Sequence, residues 1–171
     1  RFVPGDTGGE RQGAPVGQFA DGSLLFRRHQ RQDPAWIGVR RSQVELVRFD
    51  LSGTLATSFG LFDDQTVRYG GGPQYLFGAW AQSGPLANSI IHGPGDRFEL
   101  REVATDGRTV RLIRLDLPRR PVTEDDKDAF LESVRERMRE QGQLAFFERI
   151  YADADAPEYF PAHYDIRVDD R

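Results

Sequence analysis

The chain holds three imidazoles, His29, His92 and His163, the side chains best suited to bind a metal or carry a proton near neutral pH. His29 and His92 follow the short apolar runs Leu24-Leu25-Phe26 and Ser89-Ile90-Ile91, so both fall at strand ends, where they can approach one another. A metal centre needs carboxylates or a third imidazole converging on them, and no HxH, HxxxH or HExxH spacing is present. The expected roles are therefore structural or solvated. A second chemistry lies in Arg27-Arg28, Trp36 and Arg40-Arg41. Guanidiniums beside an indole supply charge and flat apolar area for an anionic sugar or a nucleic acid. The alternative for Trp36 is a local anchor of its own loop. Glu45 and Glu99 recur in two similar stretches, as ligands or, more simply, as charges paired with Arg48 or Arg101. The candidate partner-binding residues are Trp36, Arg40, Arg41, His29 and His92.

Other chemistries find no foothold. The sequence has no cysteine, so disulfide and thiolate chemistry are excluded. Gly70-Gly71-Gly72 precedes a strand-like run, not a helix, and is no phosphate loop. No serine lies in a G-x-S-x-G context. No motif calls for a cofactor. A net charge of −4 gives no electrostatic reason to expect nucleic acid. No apolar run approaches the roughly 20 residues of a membrane span.

The elements that must position these residues are short strands in repeated order. Val44-Glu45-Leu46-Val47-Arg48-Phe49-Asp50-Leu51-Ser52-Gly53 aligns without a gap with residues 98–107, and the closing glycines, Gly53 and Gly107, are 54 residues apart. Each copy reads as a hairpin, the second closed by Asp106-Gly107, because glycine accepts the positive φ of a tight turn. Strands are expected at 15–20, 23–29, 44–50 and 54–59, and again at 75–82, 88–92, 97–104 and 109–115. A third set is expected to begin at 162–168. One helix is expected over 123–141, with Thr123 as N-cap, acidic residues in its first turn, a stripe of Phe130, Leu131, Val134 and Met138, and Gly142 as stop. Residues 143–151 are ambiguous between a further helical turn or two and irregular chain.

Four-stranded repeats with glycine-closed turns, carried by Phe19-Ala20-Asp21-Gly22-Ser23-Leu24-Leu25, by 46–53 and by Asp96-Arg97-Phe98-Glu99-Leu100 with Thr105-Asp106-Gly107, resemble blades of a six-bladed β-propeller of the NHL or TolB-like kind. The resemblance covers about residues 15–115 and 162–171. It implies an all-β fold with two blades (15–59 and 75–115), a helical insertion at 116–161 and the start of a third blade at 162–171, within a single partial propeller domain spanning 1–171. Its uncharacterised bacterial members are commonly exported, which implies a periplasmic or extracellular location. The start without methionine and the end on a strand-like run lead us to expect a fragment.

In an up-down sheet, the a–b and c–d turns emerge at one end and the b–c and d–a connections at the other. The long segments 30–43, 61–74 and 116–161 all fall in the second group, and loops are where binding residues concentrate. The expected function is a non-catalytic binding or scaffold propeller whose long-loop face takes a protein or carbohydrate partner. The alternative implied by the resemblance is a lactonase-type hydrolase with a metal in the central channel, where Glu45 and Glu99 would be candidate ligands.

Overall fold

The computed structural model describes residues 13–30, 33, 35–71, 73–151, 153–163 and 165. Two antiparallel four-stranded sheets carry the chain. Sheet 1 is β1 (Gly13–Gln18), β2 (Leu24–His29), β3 (Gly38–Phe49) and β4 (Leu55–Tyr69), in that spatial order. Sheet 2 is β5 (Gln82–Leu86), β6 (Ser89–Gly93), β7 (Glu99–Val103) and β8 (Thr109–Arg114), in the same order. Two helices follow, α1 (Glu124–Glu140) and α2 (Leu144–Tyr151). Among the described residues, no helix is long and apolar enough to cross a membrane.

Both four-strand sets are present in the expected order, with corrected boundaries. The supposed loop residues 38–43 and 61–69 are strand: Val39 pairs with Arg68 and Arg41 with Thr66, so β3 and β4 run on as a two-stranded ribbon. The alternation Val39, Arg41 and Val67, Tyr69 continues the strand period there, and the arginines had masked it. The first strand of sheet 2 begins at Gln82, not at 75. Residues 79–81 instead bond to the edge of β4, through Thr66 N–H to the Ala79 carbonyl (2.8 Å) and Ala81 N–H to the Asp64 carbonyl (2.9 Å). Ser83-Gly84-Pro85 is part of β5, and the β5–β6 turn is Ala87-Asn88, with Ala87 at φ 45°. Among the described residues there are two helices, and the ambiguous 143–151 holds the second. Gly142, at φ 68°, ends α1, and the apolar run after it buries Phe147 and continues as α2. The expected third strand set falls on 162–168, of which Tyr164 and residues 166–168 lie outside the described residues.

The turns at one end are built alike. The Asp21 carboxylate accepts from Ser23 N–H (3.0 Å), that of Asp50 from Ser52 and Thr54 N–H (both 2.9 Å), and that of Asp106 from Arg108 N–H (3.0 Å). The hydroxyls of Ser23 and Ser52, which also donate to Asp21 and Asp50, together with these N–H bonds hold those two carboxyls below the usual carboxylate range. The Arg108 N–H leads in doing so for Asp106. Each turn satisfies its own polar groups locally, the reason aspartate recurs there.

The sheets stack through one apolar core. Leu25 and Leu46 of sheet 1, with Phe19 and Phe59, meet Ile90 and Val103 of sheet 2. A second cluster, Phe26, Val47 and Phe49, occupies the other face of sheet 1. The repeat makes this arrangement informative. Leu46 corresponds to Leu100 and Phe49 to Val103. Leu46 faces sheet 2, whereas Leu100 alternates with Val103 and so lies on the face of β7 turned from sheet 1. The two repeats therefore stack front to back, not face to face. At the first strands they come very close: a Cβ on Gly17 would be 2.7 Å from Cδ of Pro85, so only glycine lets β1 approach β5.

Candidate functional site

The structure divides the sequence-predicted residues into two groups, because Arg40 and Arg41 are neighbours on a strand and point to opposite faces. Trp36 and Arg40 stay together. The Arg40 guanidinium lies 5.5 Å from the Trp36 ring centre, and the Trp36 ring meets Tyr69 edge-on at 5.6 Å. Trp36 is thus half-buried and anchors the far end of the ribbon, where β3 starts and β4 ends.

Arg41 and His92 belong to the polar layer between the sheets, and His29, whose side chain is 49% exposed, reaches Asp64 of that layer from the surface. Arg41 donates to the backbone carbonyls of Asp64 (3.1 Å) and Pro94 and pairs with Asp96 (3.2 Å). The buried Asp64 carboxylate takes Arg27 at 3.2 Å and lies 3.6 Å from His29 Nδ1. His92, only 3% exposed, lies with Nδ1 3.0 Å from Ser83 Oγ and its ring 4.7 Å from that of Phe62. Burial, then the charges of Arg101, Arg27, Arg41 and Arg97, push its pKa down to about 3. An imidazole that weakly basic is a poor general base, which argues against Ser83–His92 as a nucleophile–base pair.

The repeated glutamates are ion-paired. Glu45 accepts from Arg28 (2.6 Å) and Ser58 (2.8 Å), not from the expected Arg48, which reaches Ser23 and Asp21 instead. Glu99, almost wholly buried, is held by Arg114 (2.8 Å), Arg101 (2.7 Å) and Arg97 (3.4 Å), and those bonds lower its pKa to about 2. Among the described residues, no group of three or more His, Asp or Glu side chains converges so as to hold a metal ion.

Sequence reasoning missed a groove of about 630 Å³. Its walls are β4 (Gln65, Thr66, Val67), the segment after it (Gln74, Tyr75, Leu76, Phe77, Trp80) and the helices, through Phe130 and Tyr151. None of the described residues lining it is charged. The long segments meet here. Gln74 N–H donates to the Ile150 carbonyl (2.6 Å), Leu76 N–H to the Asp155 carbonyl (2.6 Å), and Arg68 pairs with the Asp155 side chain. Phe77 is wedged between Phe130 (5.2 Å) and Phe160 (4.8 Å). It has φ 50°, a left-handed conformation that costs a bulky residue energy and is held by this packing. The only signal in sequence was the aromatic density of 75–80, which the strand reading absorbed.

Comparison with family models, curated proteins and solved structures finds no match for this chain.

Proposed function

We propose that this protein is a non-catalytic binding module, built as part of a radially repeated β-propeller and exported, that uses its long-segment end to hold a protein or carbohydrate partner. Front-to-back stacking supports the propeller part. A sandwich related by a two-fold axis would bring equivalent faces together, whereas Leu46 and Leu100 face the same way round. Repeated around an axis, such stacking would form a ring, and the close approach of β1 to β5 is what its narrow inner side would require.

The observation that carries the binding role is the convergence of β4, of residues 74–80 and of the two helices on one aromatic groove, on the same side of the molecule as Trp36 and Tyr69 at the far end of the ribbon. The opposite end is tight turns whose polar groups are already satisfied. The test is a pull-down and a glycan array with the complete protein, comparing Trp36→Ala/Arg40→Ala and Trp80→Ala with Ser52→Ala at the tight-turn end. Loss of binding in a long-segment variant, with Ser52→Ala unchanged, is expected. Loss in Ser52→Ala alone overturns the assignment of faces.

A further inference from the structure

The groove's chemistry names a ligand class. We infer that it binds a neutral oligosaccharide, stacked on Trp80 and the tyrosine and phenylalanine rings and hydrogen-bonded by Gln65, Gln74, Gln82 and Thr66. This rests on the long-segment end being the binding face.

Three features carry the assignment. First, Trp80 is 55% exposed although its backbone is fixed from two sides. It bridges to Gln65 of β4, and Gly95 packs so tightly that a Cβ there would lie 2.2 Å from the Trp80 carbonyl oxygen. A large apolar ring held in water on a rigid support loses little conformational freedom when it binds. A pyranose offers flat patches of C–H that cover such a ring, while its rim of hydroxyls stays polar.

Second, the polar lining is of the matching kind. Each hydroxyl of a sugar both donates and accepts, and so does each glutamine amide and the threonine hydroxyl. A polyproline-type peptide also favours aromatic grooves, but its backbone offers carbonyl acceptors and few donors, which would leave the amide oxygens unmatched. Third, none of the described lining residues is ionised, and the charges that act on Tyr75, those of Arg68 and Asp155, are paired with each other. An anionic glycan or an acidic peptide would enter without a cation to meet it, and its charge would lose water for nothing. The volume of about 630 Å³ falls within the range of ligand pockets, roughly 300–1,000 Å³.

The experiment is a fluorescence and calorimetric titration of the complete protein with cellohexaose, xylohexaose, mannohexaose, polygalacturonate fragments and a decaproline peptide. At least one neutral hexasaccharide is expected to bind and to shift the tryptophan emission. Trp80→Ala should weaken it at least tenfold and Gln65→Ala severalfold, with thermal unfolding unchanged. Trp36→Ala should retain both the binding and the emission shift, since Trp80 remains. Binding of the acidic fragments or of decaproline in preference to every neutral sugar overturns the inference. So does sugar binding that survives Trp80→Ala. If no sugar binds while a protein partner depends on Trp36 and Arg40, the ligand class is wrong and the binding face stands. If binding depends on Ser52, the face itself is wrong.

Discussion

At the residue scale, the polar layer between the sheets shows how buried charge is made tolerable. Glu99 is surrounded by three guanidiniums, and the Asp64 carboxylate is paired with Arg27. The consequence for His92 is a measurable pH dependence. Burial and the nearby arginines hold its pKa at about 3 in the folded protein, against an ordinary value of 6.5. Between those values the unfolded chain binds a proton that the folded protein refuses, so this contribution to stability is full above pH 6.5 and is lost as pH falls toward 3. Thermal melts at pH 7 and pH 4 should show a larger drop in the native protein than in His92→Asn, which has no imidazole to titrate. Equal drops would mean that His92 takes up its proton in the folded state without penalty. The histidines' strand-end positions were readable from spacing. Their separate surroundings were not, because they depend on β4 passing Asp64 between the sheets.

At the element scale, local rules explain what sequence revealed. The α1 N-terminus was legible because Thr123 and Asp126 form a complete capping box, Thr123 Oγ1 accepting from Asp126 N–H (3.2 Å) and the Asp126 carboxylate accepting from Thr123 N–H (3.1 Å). The apolar stripe was legible in part. Val134 is buried, but Phe130 is 36% exposed because it reaches Phe77 at the groove rim instead of an interior. The helices pair, with the Arg135 guanidinium 5.3 Å above the ring of buried Phe147. Replacing Val134 with Asp buries an unpaired charge and should cost about 2–4 kcal/mol, seen as a fall in Tm of several degrees. An unchanged melting curve would show that the helices hang free of the sheets. The strand boundaries failed for two reasons. In 38–43 and 61–69, which pair with each other, arginines interrupt the apolar alternation. In 75–81, residues 79–81 pair with β4 instead of with sheet 2.

For the whole molecule, order of strands and placement of long segments followed from repeat and turn chemistry, since tight turns announce themselves by aspartate and glycine. The groove did not, because its walls come from three stretches, β4, 74–82 and the helices, whose convergence only the fold creates. The molecule that results has one end closed by self-satisfied turns and one end carrying an open aromatic groove. Its two tryptophans report on the two parts of that second end, Trp36 on the far end of the ribbon and Trp80 on the groove. The most direct test is an NMR titration of the complete, isotope-labelled protein with the hexasaccharides. The Trp80 indole N–H and the glutamine side-chain amides should shift, while the Trp36 indole and the backbone amides of Gly22, Gly53 and Gly107 stay in place. Shifts confined to those turn glycines, or a Trp80 signal that no sugar moves, would contradict the account.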